Sequence, residues 1–173
     1  MHFNPYGESL VSNKNKIRLE MADSDPRHDQ LFSLTWTLAI FIQSINKESK
    51  FFTFNSVYGH HGILNKDNTK RPLYHLNNFL ISLSNSEIFK FNPVNEVYGL
   101  KIVLNDKKYY LFVNSSKQKK EIIIPEINFS NQYKLNLKNY TDIFNNDFSF
   151  FNFKKDSNPY AFEPLEIKFI EDK

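Results

Sequence analysis

The sequence predicts an α/β segment followed by an all-β domain, with the change near residue 86. Three observations carry that reading. Two apolar helical patterns, Asp25–Asn46 and Pro72–Asn85, bracket one continuous apolar run, Phe51–Asn55. Beyond Asn85 the period shortens to that of strands, with short runs rich in Ile, Val, Phe and Tyr. Turn signals punctuate those runs at Asn92-Pro93, Asn105-Asp106, Ser115-Ser116, Asn145-Asn146 and Asn158-Pro159.

The elements follow in order. Met1–Ser24 is irregular, with a polar SNKNK patch, although Phe3-Asn4-Pro5-Tyr6 resembles a strand exit. Asp25 can cap a helix, and Pro26 suits its first position because its missing N–H would be an orphan there. Leu31, Leu34, Trp36, Leu38, Phe41, Ile42 and Ile45 then give a very wide apolar face, which assigns Trp36 to the core. The helix is expected to end at Asn46-Lys47. Phe51–Asn55 reads as a strand buried on both faces, as in a parallel sheet. A glycine loop and the polar connection NKDNTKR lead to Pro72, where Leu73, Leu76, Phe79, Leu80 and Leu83 recur at helical spacing.

In the second half the expected strands are Glu87–Phe91, Glu96–Leu104, Lys108–Asn114, Lys120–Pro125, Gln132–Leu137, Asp147–Phe153 and Leu165–Ile170. Strands at this spacing imply an antiparallel β-sandwich. The hairpin Gly99–Asn114, with Asn105-Asp106 at its tip, is the best defined. The phenylalanines of FSFFNF alternate as a core strand would.

Composition narrows the function classes. The 173 residues can bury a real core, and a net charge of +3 with scattered lysines gives no basis for nucleic-acid binding. Lys117-Gln118-Lys119-Lys120 is the densest basic patch and reads as a solvated turn. With no cysteine, neither a disulfide nor a thiolate metal site can form. The N-terminus lacks a signal-peptide pattern, and Leu31–Ile45 falls short of the roughly 20 apolar residues of a membrane span. The expected compartment is the cytoplasm, with no membrane partner.

The segment FFTFNSVYGHHGIL concentrates the candidate chemistry. Ser56 has no useful pKa without a base beside it, so His60 and His61 are the groups that could act as acid or base. Adjacent histidines on a loop point apart, and no third ligand stands at ligand-like spacing, so no metal is expected; nor is any other cofactor. Asp142, Asp147 and Asp156 are spaced too loosely for a calcium loop. The favoured reading is a glycine-shaped loop that offers Asn55, Ser56, Tyr58, His60 and His61 as polar contact surface to a ligand, joined by Asn4. His75 reads as a packing residue.

Several stretches together resemble the D-apionate lactonase family. DPRHDQLFSLTWTL is similar to that family's Asp-Pro-Arg-Gln, Leu-Phe and Trp-Thr-Leu pattern, and HFNPYG to its Arg-Phe-Asn-Pro-Tyr-Ala. FFTFNSVYGHHGIL resembles a segment ending Glu-Thr-Thr-Gly-Trp-Arg-Gly, and Pro72-Leu73-Tyr74-His75 resembles Pro-Val-Tyr-His. VYGLKIVL, YYLFVNSS and IIIP resemble the hairpin of its sandwich domain, so the likeness runs in order over roughly Phe3–Pro125. The resemblance implies the terminal βα units of an incomplete TIM barrel followed by a C-terminal antiparallel β-sandwich. It divides the chain into a barrel fragment, 1–86, and a sandwich, 87–173. It implies a sugar-acid lactone or related carbohydrate as ligand and ring hydrolysis as the activity. Ser56 stands where the family carries Glu, and His60 and His61 where it carries Trp and Arg, so the chain alone is expected to be inactive. The missing barrel portion, or a second copy, is the expected partner. The alternative is a non-catalytic β-sandwich module that binds carbohydrate or protein.

Overall fold

In a computed structural model, the described residues are 26–45, 55–59, 62–123, 129–141, 154–155 and 160–172. A 3-10 turn, Pro26–Asp29, leads into helix α1, Leu31–Ser44. Strands β1 (Ser56–Tyr58) and β2 (Gly62–Leu64) precede helix α2 (Pro72–Ser82). Eight strands follow: β3 (Glu87–Lys90), β4 (Val97–Leu104), β5 (Lys107–Asn114), β6 (Lys120–Glu121), β7 (Phe129–Leu135), β8 (Lys154–Lys155), β9 (Ala161–Phe162) and β10 (Ile167–Asp172).

Six of these strands form one antiparallel sheet in the order β3-β4-β5-β10-β7-β8. The last strand of the chain therefore lies at its centre, between β5 and β7, with Phe169 opposite both Leu111 and Tyr133. The β4–β5 hairpin turns on Asn105 and Asp106, whose φ angles of 50° and 63° are those of a two-residue type I′ turn. Asn tolerates this left-handed backbone better than most residues, which is why the tip was readable from sequence.

Both faces of the sheet are covered. On one face, Leu100, Ile102, Leu111, Val113, Leu135, Ile167 and Phe169 pack against Leu31, Leu34, Leu38 and Ile42 of α1 and Leu73, Leu76 and Phe79 of α2. This core runs without a break across residue 86. On the opposite face, Val97, Tyr110, Phe112 and Ile170 meet Phe162 of β9 and Ile122, which directly follows its partner strand β6. Gly99 makes room there, since a Cβ would lie 2.4 Å from the Phe112 ring. Phe91 and Phe112 stack in that space with centroids 5.7 Å apart.

Several expectations are corrected. Pro26 opens the 3-10 turn rather than α1, which begins at Leu31; Ser33 Oγ donates to the carbonyls of His28 and Gln30 and ties turn to helix. The α1 N-cap is Gln30, without a side-chain cap bond, while Asp25 lies outside the described residues. The helix stops at Ser44, short of Asn46. Trp36 is not core: it is 56% exposed, because the sheet and α2 take the side of α1 that carries Leu31, Leu34, Leu38 and Ile42. Buried Thr35 is accommodated by donating its hydroxyl to the Phe32 carbonyl at 3.0 Å.

The expected strand Phe51–Asn55 falls mostly outside the described residues; the observed strand is Ser56–Tyr58, with Asn55 in a bend before it. All three residues of that observed strand are exposed. The strand expected over Lys120–Pro125 is only Lys120–Glu121 among the described residues. Asp147–Phe153 lies outside them, as do Asp142, Asp147 and Asp156. α2 matches its pattern closely, with Pro72 at its start and Leu73, Leu76, Phe79 and Leu83 buried, ending at Ser82 rather than Asn85.

Candidate functional site

The glycine-shaped connection between α1 and α2 is built from backbone requirements first. Gly59 adopts φ 101°, a left-handed conformation that a side chain would strain. Gly62 follows because a Cβ there would lie 2.5 Å from the Tyr58 carbonyl carbon. With that close approach, the Gly62 amide donates to the Gly59 carbonyl at 3.0 Å. β1 and β2 then run parallel, Ser56 opposite Gly62 and Tyr58 opposite Leu64. Both glycines are thus explained by chain geometry alone.

Around this turn stand three of the expected ligand-contacting residues. Ser56 Oγ donates to the Tyr58 carbonyl at 3.1 Å, so its hydroxyl is engaged locally. Tyr58 projects into solvent at 59% exposure. Asn55 is half-buried, and among the described residues its buried side-chain oxygen has no hydrogen-bond partner, an open acceptor next to β1. Such an atom carries a desolvation cost until a donor reaches it. Asn4, His60 and His61 lie outside the described residues. Tyr74 and His75 meet edge to face at the start of α2, centroids 5.5 Å apart.

The polar connection after β2 proves more structured than its composition implied. Asp67 Oδ1 accepts both the Thr69 hydroxyl at 2.7 Å and the Thr69 amide at 3.0 Å. Those two donors hold its carboxyl below the ordinary aspartate value, the hydroxyl contributing most. Asn65 Nδ2 donates to Thr69 Oγ1, and Asn65 Oδ1 accepts Arg71 Nε at 2.7 Å. Arg71, itself buried, reaches Asp29 at 3.4 Å and so ties this connection to the turn before α1. By composition NKDNTKR reads only as a polar connection. The Asp-x-Thr spacing, which favours a side chain bonding the backbone two residues on, was the available signal.

A second polar group lies on the sheet. Glu166 and Lys168 have side-chain exposures of 1% and 0%, with Lys168 Nζ 3.6 Å from Glu166 Oε1. Asn136 Nδ2 donates to Glu166 Oε2 at 2.8 Å, and Lys168 Nζ lies 4.8 Å from the centre of the Phe162 ring. This pair is sealed from solvent and serves the fold rather than a ligand. Among the described residues no group of three or more His, Asp or Glu side chains is placed to hold a metal ion. No described helix is long and apolar enough to cross a membrane.

The arrangement places an open acceptor, an exposed phenol and two glycines beside a short parallel strand pair. The family described as D-apionate lactonase, TIM barrel domain, matches residues 1–85. A D-apionate lactonase of Brucella anthropi is 32% identical over 80 residues, a stretch covering 43% of this chain and 13% of that protein. The chain thus shares only a small part of its relative's length. Within that part the similarity runs through residues 1–85, which match the D-apionate lactonase barrel family and resemble a stretch of that lactonase.

Proposed function

We propose that residues 1–86 are closing βα units of a lactonase-type TIM barrel, that residues 87–173 form a β-sandwich packed against them, and that the assembled site hydrolyses a sugar-acid lactone in the cytoplasm. The family match along residues 1–85 carries this reading. It also supports a boundary near residue 86, although the α1–α2 core crosses that point. In the reaction water adds to the lactone carbonyl, the ring C–O bond breaks, and the released alkoxide takes a proton, giving the open hydroxy acid. Barrel catalysis draws on residues from several strand ends, and this chain supplies those of the glycine loop.

Within that loop Asn55 accepts a hydroxyl of the sugar acid, while Asn4, Ser56, Tyr58, His60 and His61 complete the contact surface. Ser56 offers no carboxylate, so the histidines are the remaining candidates for moving a proton. On this reading the chain alone does not turn over. The test is hydrolysis of a sugar-acid lactone by the purified chain, alone and mixed with the portion of the Brucella anthropi lactonase that precedes the matched stretch. Background rates alone and turnover in the mixture are expected. Turnover by the chain alone, lost on replacing His60 and His61 with Ala, overturns the claim of inactivity. No turnover in either arm, with saturable binding of a sugar, favours a non-catalytic module; the sheet covered on both faces is the observation on that side.

A further inference from the structure

We propose that β3, the free edge of the six-stranded sheet, pairs antiparallel with β3 of a second copy of this chain, Phe89 facing Phe89 across a two-fold axis. This pairing stands on the strand's own hydrogen-bond geometry, independent of the lactonase reading. β3 ends the strand order and pairs with β4 alone among the described residues. The unpaired backbone along such an edge is a template for another chain.

The β3–β4 ladder decides which groups are free. The Phe91 amide donates to the Gly99 carbonyl at 3.0 Å, so these two form a hydrogen-bonded pair. Such pairs alternate along an antiparallel ladder, so Phe89–Lys101 and Glu87–Val103 bond in the same way. Ile88 and Lys90 therefore turn their N–H and C=O groups outward. Opposed side chains must share a face of the sheet, which limits a two-fold pairing to registers centred on a single residue. Centring on Glu87 or on Lys90 sets like charges opposite each other, which destabilises. Centring on Ile88 pairs Lys90 with Ser86, whose amide already donates to the Leu83 carbonyl at 2.9 Å. Centring on Phe89 joins Ile88 to Lys90 on both sides of the axis and satisfies every outward group of the two residues.

The side chains agree with that register. Phe89, 52% exposed, falls in the close, non-hydrogen-bonded pair at the axis, where an aromatic pair gains contact. Lys101 Nζ lies 5.7 Å from the centre of the Phe89 ring and so flanks the pair from each copy. A lysine on an edge ordinarily guards it, but the Lys90 ammonium is drawn aside to donate to the Gln43 carbonyl at 3.1 Å. The other end of the sheet is guarded: β8 is two residues long, and both are lysine. Four hydrogen bonds and one aromatic pair make a small interface, so the dimer forms and dissociates with concentration.

The chain has no cysteine, so a single introduced thiol reports the register directly. In the full chain under mild oxidation, Phe89→Cys places two thiols on Cα atoms about 4.5 Å apart at the axis, within disulfide reach. Glu87→Cys is equally exposed, but its counterpart stands four residues along the partner strand, roughly 13 Å away. Expected is covalent dimer from Phe89→Cys at least about tenfold faster than from Glu87→Cys. Sedimentation of the parent chain over a concentration series is expected to show a reversible monomer–dimer equilibrium. Lys90→Pro removes an outward N–H and leaves the β4 ladder intact, so it should weaken the dimer at least about tenfold with unchanged circular dichroism. A single monomeric species across the series overturns the proposal, as does association that Lys90→Pro leaves unchanged. Equal crosslinking at the two positions, or faster crosslinking at Glu87→Cys, overturns the register even should Lys90→Pro disturb the strand.

Discussion

Replacing Lys168 with Met tests whether the buried ion pair holds the centre of the sheet. The ammonium is sealed at 0% side-chain exposure, 3.6 Å from Glu166 and over the Phe162 ring. Methionine keeps most of the volume and removes the charge. Glu166 would then keep the Asn136 amide at 2.8 Å but lose its cation, at 1% exposure and with little water to replace it. Breaking a buried pair from one side costs about 3–5 kcal/mol, much of it from the charge left behind. At about 2–4 °C per kcal/mol for a chain of this size, the melting point should fall by about 6–20 °C. Adding Glu166→Gln removes the stranded charge and keeps an acceptor for Asn136, so the double variant should recover most of the loss. The assay is thermal and urea unfolding followed by circular dichroism. If Lys168→Met lies within about 0.5 kcal/mol of the parent, or the double variant is no better than the single, the argument fails.

Two further outcomes are expected. Asp106→Gly should stabilise the chain by a few tenths to about 1 kcal/mol, because Asp106 already holds φ 63° at the β4–β5 tip and glycine adopts it without strain; a lower urea midpoint would contradict the turn assignment. Thr69→Val should return the Asp67 carboxyl toward its ordinary value in an NMR titration, since the Thr69 hydroxyl is the main cause of its lowering. The sign follows: a depressed folded value gives stability that is present above the unfolded value and lost as pH falls through the folded one. The parent chain should therefore lose slightly more stability than the variant on acidification below about pH 4, and equal acid sensitivity would remove Thr69 as the cause.

What could be read without coordinates was whatever local chemistry decides. Pro72 and the spacing of Leu73, Leu76 and Phe79 announced α2, because a missing N–H and a 3.6-residue period act within one or two turns. Asn105-Asp106 announced the hairpin, since two consecutive left-handed residues are a local demand. The ordered motifs from HFNPYG to Pro72-Leu73-Tyr74-His75 announced the family that matches residues 1–85.

The rest depended on contacts between distant parts of the chain. Trp36 counted as core by hydrophobicity, yet which side of a nearly all-apolar helix is covered depends on where the sheet sits; the sheet took the side of Leu34 and Leu38. Nothing near Lys168 in sequence foretold a buried lysine. It is internal because the last strand inserts between β5 and β7, which brings Phe162 to Lys168 and Asn136 to its partner Glu166 from elsewhere. Ser56, Tyr58 and Asn55 were legible as a candidate site, but the open acceptor on Asn55 and the Asn65–Arg71 network were not. Whether a polar atom is satisfied depends on which groups the fold brings within about 3 Å of it, and no local pattern specifies that.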